Sequence, residues 1–185
     1  MPTRRVVLQM SVSVDGFVAS FQGGLGGSLP EDDDLTRWKL DQLEETGTHI
    51  MGRVTYEQMA AHWPNATDEY AAPMNDLPKV VFSKTLERAD WNNSRVARGD
   101  TAEEIAQLKR EPGKDIMAHG GAAFVQALSN LGLIDEYRLV IEPVALGNGL
   151  PMFRELPAAL RLNLVEAKTF TTGTAAHVYQ PIRGT

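Results

Sequence analysis

Three short turns in this sequence combine glycine, hydroxyl and basic residues in a way that suits phosphate binding. The turns span residues 51–57, 81–85 and 118–124, and each follows a short apolar run. Such runs predict buried strands, and two of the turns also open a predicted amphipathic helix. A helix N-terminus presents unpaired N–H groups and partial positive charge. Three such turns over one parallel sheet would hold a ligand with several phosphates, which suggests a dinucleotide.

Each turn by itself also has an ordinary structural interpretation. Gly52-Arg53 can be a strand-to-helix turn with a solvated arginine, Gly120-Gly121 can be a tight turn, and residues 83–85 can be a polar loop. The G-x-G-x-x-G pattern of a Rossmann fingerprint is absent from the sequence, so that fold has no support. The order and joint presence of the three turns favour the binding interpretation.

Composition restricts the possible classes of protein. The chain has 185 residues, which suits one compact domain over residues 1–185, and a net charge of −6, which argues against nucleic-acid binding. It has no cysteine, and its four histidines show no metal-ligand spacing, so we expect no disulfide, thiolate chemistry or metal site. No apolar run reaches 18 residues, so we expect no membrane span and a cytoplasmic protein.

The elements that must position these turns alternate between strands and helices. Glycine, proline and capping signals place most of the boundaries, and residues 65–78 are expected to be an irregular connection. The alternation predicts an α/β fold with a mostly parallel central sheet, flanked by helices and edged by an antiparallel C-terminal hairpin. The predicted strands are 5–11, 48–51, 79–82, 95–97, 115–118, 137–143, 160–170 and 175–181, and the predicted helices are 33–45, 54–61, one from Thr101 to Pro112-Gly113, and one with Phe124, Val125, Leu128 and Leu131 on its apolar face.

Several of these segments together resemble a known family. The pattern Gly52-Arg53-x-Thr55-Tyr56-Glu57 and the pair Gly120-Gly121 resemble the dihydrofolate reductase fold. Residues 11–17, 131–136 and 143–153 are similar to one branch of it, the reductase domain of the bifunctional riboflavin-biosynthesis deaminase/reductase and its stand-alone relatives. The resemblance covers nearly the whole chain.

The resemblance implies NADPH as cofactor, with contacts from all three turns. Arg53 and Thr55 would meet its phosphates, Ser83 and Lys84 would lie beside the adenosine ribose, and Gly120 would let the chain approach the pyrophosphate. The cofactor-binding residues implied in this way are Gly52, Arg53, Val54, Thr55, Ser83, Lys84, Gly120, Gly121, Ala122 and Ala123.

The substrate end is less well specified by the resemblance. It places Ser11, Asp15, Gly16 and Trp38 near the substrate, and Asp34 at the position of the carboxylate that assists protonation. An acid in the first turn of a helix is also favoured by the helix dipole alone, so Asp34 keeps a purely structural alternative. The glycine cluster at 23–27 is either a lid over the site or a surface loop.

The activity expected from the resemblance is NADPH-dependent hydride transfer to a small heterocyclic or carbonyl substrate. It is similar to that of 5-amino-6-(5-phosphoribosylamino)uracil reductase, although the usual partner deaminase domain is absent from this sequence. One alternative is a catalytically silent nucleotide-binding domain. A true dihydrofolate reductase is disfavoured because Pro78 stands where that enzyme carries an arginine for the glutamate tail. The family also implies a homodimer, which the apolar run at 137–141 and the C-terminal hairpin edge would serve.

Overall fold

The computed structural model of the protein describes residues 3–26 and 31–184. Ten strands and five α-helices follow one another along this part of the chain, with one short 3₁₀ helix at Trp63–Asn65. The strands are β1 (Val6–Ser13), β2 (Phe17–Ala19), β3 (Thr46–Gly52), β4 (Lys79–Phe82), β5 (Ser94–Ala97), β6 (Asp115–Ala118), β7 (Glu136–Glu142), β8 (Leu150–Pro151), β9 (Leu162–Thr169) and β10 (Ala175–Pro181). The helices are α1 (Asp33–Glu44), α2 (Arg53–His62), α3 (Ala71–Asp76), α4 (Thr101–Arg110) and α5 (Ala122–Asn130).

Eight strands form one sheet in the order β5-β4-β3-β6-β1-β7-β10-β9. Neighbours from β5 to β7 are parallel, and β10 and β9 add an antiparallel edge beside β7. The predicted α/β architecture is therefore confirmed. All the parallel strands end at one edge of the sheet, which is where loops and helix N-termini converge in α/β proteins.

The core lies on both faces of this sheet. On one face, α4 and α5 bury Ile105 and Leu128 against residues of the central strands such as Val6 and Ile116. On the other, Met51 and Met117 of the sheet belong to a cluster with Met74 of α3 and Tyr56 of α2. A third cluster joins α1 to the antiparallel strands, and it consists of Leu35, Trp38, Val140, Phe170, Ala176 and Val178.

Helix starts divide into two kinds. Asp32 and Asp100 cap α1 and α4, each accepting a hydrogen bond from the backbone N–H three residues on. The predicted start of α4 at Thr101 is correct, but the capping side chain is that of Asp100. Gly52 and Gly121 begin α2 and α5 with no side-chain cap. Their first N–H groups are therefore free of side-chain partners.

The structure corrects three local expectations. The connection expected to be irregular holds the 3₁₀ helix and α3, whose six residues are too short to show helical periodicity. Leu131 is 55% exposed instead of lying on the apolar face, because α5 ends at Asn130. The small antiparallel pair β2–β8 was not expected at all. Strands of two or three residues, such as these, are too short to show an alternation of apolar and polar residues in the sequence.

Of the predicted glycine cluster at 23–27, Gly27 lies outside the described residues. The described part forms a turn in which Ser20 N–H donates to the Gly24 carbonyl and Gly23 N–H donates to the Ser20 carbonyl. None of the helices in the described chain is long and apolar enough to cross a membrane.

Candidate active site

A groove of about 560 Å³ lies between the N-termini of α2 and α5. Strands β3 and β6 are parallel neighbours, with Ile50 opposite Ala118, so both helices start at the same edge of the sheet. We call this the glycine groove, since Gly52 and Gly121 are the N-cap residues on its two sides. Two uncapped helix N-termini give it backbone N–H donors and partial positive charge.

The groove depends on glycine for its shape. Gly121 has φ = +99°, and a Cβ at this position would lie 2.8 Å from Thr55 Oγ1. Thr55 in turn donates its hydroxyl hydrogen bond to the Gly120 carbonyl, which joins the two turns. A Cβ on Gly120 would lie 2.5 Å from Met10 Cε. A side chain at Gly121 would therefore strain the backbone and crowd Thr55, and one at Gly120 would displace the end of the Met10 side chain.

Most of the residues predicted to bind the cofactor meet in this groove. Its lining also includes residues from β8 and its flanks that sequence reasoning missed, and Gln126 Nε2 holds that segment with a 2.7 Å hydrogen bond to the Pro151 carbonyl. The predicted lining residues are Gly52, Arg53, Val54, Thr55, Gly121, Ala122 and Ala123, and the additional ones are Phe124, Gln126, Leu150, Pro151 and Arg154.

The third predicted turn lies beside the groove. Phe82, the last residue of β4, is opposite Gly52 in the parallel register, so Ser83 and Lys84 follow directly at the same edge. Ser83 Oγ accepts hydrogen bonds from the backbone N–H groups of Thr85 and Leu86. Lys84 is exposed. Its ammonium is therefore available to an anion held at this edge.

Arg53 has a partner on its own helix. Its Nη1 lies 3.0 Å from both carboxylate oxygens of Glu57, in an exposed i,i+4 ion pair. A guanidinium carries five N–H donors, so this pair leaves donors for a second anion. This placement is compatible with phosphate binding.

A second, smaller cavity of about 270 Å³ opens on the face of the sheet that carries α1, α2 and α3. We call it the methionine pocket. Strands β1, β6 and β7 supply one side, and helices and loops supply the other. Its lining consists of Gln9, Met10, Ser11, Glu31, Lys39, Leu43, Met59, Trp63, Tyr70, Met74, Met117, His119 and Val140.

Met10 connects the two cavities. It lines the methionine pocket, and its Cε lies close to Gly120, which stands in the chain between His119 of the pocket lining and Gly121 of the groove lining. A ligand that follows the groove past Gly120 therefore arrives at the pocket. The arrangement suits a long molecule with an anionic part in the groove and a reactive end at the pocket.

A network of hydrogen bonds crosses the pocket from Glu31, two residues before α1, to Tyr70, the residue before α3. Glu31 Oε1 accepts from Tyr70 Oη at 2.6 Å and from Thr36 Oγ1 at 3.1 Å, and Oε2 accepts from Lys39 Nζ at 3.0 Å. Burial acts to raise the pKa of Glu31, but the bonds from Tyr70 and Lys39 outweigh it, so the pKa lies below its ordinary value. Burial, followed by the hydrogen bond to Glu31, raises the pKa of Tyr70. The network thus presents a carboxylate and a neutral phenol.

Two buried histidines lie at the base of the pocket. His119 Nε2 is 2.7 Å from His49 Nδ1, and His49 Nε2 is 3.1 Å from the Pro73 carbonyl. Burial lowers the pKa of His49 to about 4, and it lowers the pKa of His119 well below its ordinary value. Both rings are therefore neutral near pH 7.

The residues predicted at the substrate end do not all come together. Ser11 lines the methionine pocket. Asp15 instead holds two loops, accepting from Ser13 Oγ and from the N–H groups of Leu146 and Gly147, and these hydrogen bonds lower its pKa to about 2. Gly16 lies in the same turn, with φ = +87°.

Trp38 and Asp34 also lie away from this pocket. Trp38 is buried in the α1 cluster, where its indole Nε1 donates to Glu166 at 3.0 Å. Asp34 is exposed on the first turn of α1 and is not among the described residues that line the pocket. The carboxylate that does line it is Glu31, three positions earlier and outside the helix.

Sequence reasoning missed Glu31, Tyr70 and the His49–His119 pair. Glu31 stands next to the acidic run at 32–34, where it resembles one more solvated charge. Tyr70 and the two histidines are separated from Glu31 and from each other by 18 residues or more. No spacing rule joins residues that only the sheet and its crossovers bring together.

Comparison with known proteins assigns the family. The model of the RibD C-terminal domain matches residues 4–176. The chain also aligns with the protein YyaP of Bacillus subtilis (strain 168), 33% identical over 181 residues that cover 95% of this chain and 94% of that protein. The chain therefore belongs to the family of RibD C-terminal domains. That family is of reductase type.

Solved structures agree with this fold. A putative riboflavin biosynthesis protein from Shewanella sp. PV-4 has a TM-score of 0.80 at 22% identity, over 97% of this chain and 99% of that one. Dihydrofolate reductase from Enterococcus faecalis, solved in complex with NADP(H), has a TM-score of 0.64 at 14% identity, over 97% of both chains. The predicted dihydrofolate reductase-like fold is confirmed.

Proposed function

We propose that this protein is an NADPH-dependent reductase of a small heterocyclic or carbonyl compound, formed by a single domain over residues 1–185. The observation that carries the proposal is the glycine groove, with two uncapped helix N-termini, joined through Met10 and Gly120 to the methionine pocket. The family supports the reductase class, and the cofactor, the substrate type and the residue roles are our inference.

The residues of the groove fit a dinucleotide. The N–H groups that follow Gly52 and Gly121 would take the pyrophosphate, because they lack side-chain caps and glycine leaves room for close approach. Arg53 and Lys84 would pair with the phosphate that distinguishes NADPH from NADH. When bound, the reduced nicotinamide would supply a hydride to an electrophilic carbon of the substrate.

The methionine pocket would hold the substrate. Apolar side chains such as Met59 and Met74 form part of its walls, and Glu31 offers a carboxylate acceptor held by Tyr70 and Lys39. Glu31 has a lowered pKa and both histidines are neutral, so none of these three groups is an acid near pH 7, and Tyr70 and Lys39 direct hydrogen bonds to Glu31. We therefore propose that these side chains orient the substrate and that solvent supplies the proton.

The protonation states of Glu31 and the two histidines are also consistent with a second candidate function. A nucleotide-binding domain without turnover would retain the groove and would also lack an acid in the pocket. Oxidation of NADPH by a panel of heterocyclic and carbonyl compounds separates the two candidates. Turnover of any member supports the reductase, whereas tight binding of NADPH with no turnover across the panel supports the silent domain.

Calorimetry with two glycine variants tests the groove directly. NADPH should bind the wild type more tightly than NADH. Gly121→Ala should abolish measurable binding of both, since the added Cβ would meet Thr55 and distort the turn. Gly132→Ala is the matched control, because Gly132 also has positive φ (+65°) but nothing lies within 4 Å of the new Cβ. Equal affinity for both cofactors in the wild type, or unchanged binding in Gly121→Ala, would contradict the proposal.

A further inference from the structure

The hydrogen bonds of the two buried histidines have a direction. A carbonyl oxygen only accepts, so the contact between His49 Nε2 and the Pro73 carbonyl requires a hydrogen on Nε2. In a neutral ring the other nitrogen is then bare, so His49 Nδ1 is an acceptor. His119 Nε2 must therefore be the donor in the 2.7 Å contact with His49 Nδ1.

The same argument determines the tautomer of His119. A neutral His119 that carries its hydrogen on Nε2 has a bare Nδ1, which accepts and cannot donate. Its ring lines the methionine pocket, and nothing in residues 3–26 and 31–184 donates a hydrogen bond to this Nδ1. Burial disfavours the charged form of both rings, and the nearby ammonium of Lys79 disfavours it further at His49.

A second acceptor without a donor lies beside His119. Strands β1 and β6 are parallel with Leu8 opposite Ala118, so Gln9 and His119 are adjacent on the same face of the sheet. Gln9 also lines the pocket, and its Oε1 is buried with no hydrogen-bond partner within the described residues. Buried polar atoms are normally paired, so an unpaired acceptor at a cavity indicates a missing donor.

We propose that His119 Nδ1 and Gln9 Oε1 form an acceptor pair at the base of the pocket that selects ligands with an N–H or O–H donor. The pair gains its specificity from an energetic penalty, since a ligand without the donor leaves the buried Gln9 Oε1 unpaired and removes His119 Nδ1 from water without a partner. His49 is a positioning residue: it touches no ligand and holds His119 in the tautomer that accepts. The inference rests on the proposed function only in taking this pocket as the substrate site.

Nitrogen-15 NMR of the histidine rings tests the tautomers without any ligand. We expect His49 and His119 to show the Nε2–H tautomer from pH 8 down to about pH 5.5, because both pKa values lie below their ordinary range. His49→Asn keeps an acceptor at the place of Nδ1 and should preserve the His119 signal. His49→Leu removes that acceptor and should give a mixture of His119 tautomers. A hydrogen on His119 Nδ1 in the wild type would overturn the proposal.

The binding of two matched probes, measured without cofactor, tests whether the pocket selects a ligand that carries an N–H donor. The compound 2-quinolinone carries a ring N–H, and coumarin has the same shape with an oxygen in that place. The wild type should bind 2-quinolinone roughly two- to tenfold more tightly than coumarin, the effect of one neutral hydrogen bond. The difference should vanish in His119→Phe and persist in His49→Asn. Equal binding of the two probes by the wild type, or binding of neither, would overturn the acceptor pair.

The probes separate this inference from the proposed reductase function. They are measured by binding, so failure of turnover leaves their result intact. Selection for 2-quinolinone without any reductase activity would support the acceptor pair in a silent domain. Reductase activity without selection would support the proposed function and reject the pair.

Discussion

Charged residues at this site differ in whether they have partners. Arg53 is paired with Glu57, Lys84 is exposed, and Glu31 is held by Tyr70 and Lys39 across the pocket. The exposed ammonium of Lys84 and the remaining donors of the Arg53 guanidinium, at one edge of the sheet, favour recognition of an extra phosphate. A carboxylate held by three donors, Tyr70, Thr36 and Lys39, favours orientation of a substrate rather than proton transfer.

Arg53 and Lys84 should together determine preference for NADPH over NADH. Replacing both with alanine should narrow the difference in binding, because each charge-assisted contact contributes about 1.5–3 kcal/mol. Calorimetry with both cofactors measures the change. Arg88→Ala is the control, since Arg88 is an exposed arginine paired with Asp90 and does not line the glycine groove. A preference that survives the double substitution would exclude these two residues from phosphate recognition.

Substitutions at Glu31 and Asp34 test which of these two carboxylates contributes to the reaction. Asp34 was predicted from the sequence as the catalytic one, and that prediction remains untested. We favour Glu31, because it lines the pocket and accepts hydrogen bonds there from Tyr70 and Lys39, whereas Asp34 is not among the residues that line it. Glu31→Gln should lower kcat/KM roughly tenfold or more by weakening charge-assisted hydrogen bonds, and Asp34→Asn should leave it nearly unchanged. A large fall in kcat/KM for Asp34→Asn, with little change for Glu31→Gln, would instead support Asp34 as the catalytic carboxylate.

At the scale of elements, α1 is the helix whose position matters most to the pocket. Its cap, Asp32, uses Oδ1 to accept from Leu35 N–H and Oδ2 to accept from the N–H and hydroxyl of Thr171, in the turn between β9 and β10. The residue just before it is Glu31. One side chain therefore fixes the start of the helix, its attachment to the hairpin and the placement of the pocket carboxylate.

Asp32→Ala should loosen both attachments. We expect a fall in Tm of about 2–4 °C, typical of a lost cap in a chain of this size. Hydrogen exchange should also become faster in peptides covering 32–36 and 170–174. Asp100→Ala removes the cap of α4 and should lower the Tm similarly without altering exchange in those peptides. Equal exchange in the two variants would show that the contact with Thr171 is not needed.

At the scale of the molecule, the sheet has one apolar edge exposed to solvent. Strand β9 is its last strand, and Leu164 and Val165 on it are 48% and 47% exposed. Strand β7, whose apolar run was predicted to serve a dimer, is buried between β1 and β10. If the protein is a homodimer, as we propose, β9 is the part of the hairpin that would pair.

Light scattering should give twice the mass of one chain at micromolar concentration. Leu164→Lys combined with Val165→Lys should give the mass of one chain, because two charges would be brought into the interface. Leu131→Lys is the control, since Leu131 is 55% exposed at the end of α5. A single-chain mass for the wild type would reject the dimer.

The buried histidines should make the whole fold sensitive to mild acid. Folded His49 takes up a proton only near pH 4, whereas its ordinary pKa is 6.5, and the pKa of His119 is lowered too. The unfolded state therefore binds more protons between these values, and the free energy of unfolding falls as the pH falls through this window. The slope should approach about 1.4 kcal/mol per pH unit for each histidine.

Denaturant titrations at several pH values between 7 and 5 measure this slope. His49→Asn should reduce the slope of the free energy of unfolding against pH by the contribution of one histidine. Ser129→Ala, which loses the hydrogen bond from the Tyr137 hydroxyl, should lower stability by the same amount at every pH in the range. A wild-type stability that does not change between pH 7 and 5 would contradict the buried neutral pair.

The sequence by itself determined the fold class, most of the strands and the turns of the glycine groove. These are local properties: apolar runs, capping residues and glycine at strand ends need only a few neighbouring positions to be recognised. Strands β4, β6 and β10 begin and end where the sequence predicts them. Gly52 was found because it follows directly on a predicted strand, and Gly121 because it lies three positions after the end of another.

Only the tertiary structure decided the composition of the pocket. Glu31 meets Tyr70 39 positions away, and His49 meets His119 70 positions away. Both contacts exist because parallel crossovers bring distant segments to one face of the sheet. The same geometry moved Trp38 into the core and left Asp34 in solvent, although both stand on the predicted helix. The periodicity of a helix shows on which face of the helix a residue lies. Which part of the protein packs against that face depends on the arrangement of the whole sheet.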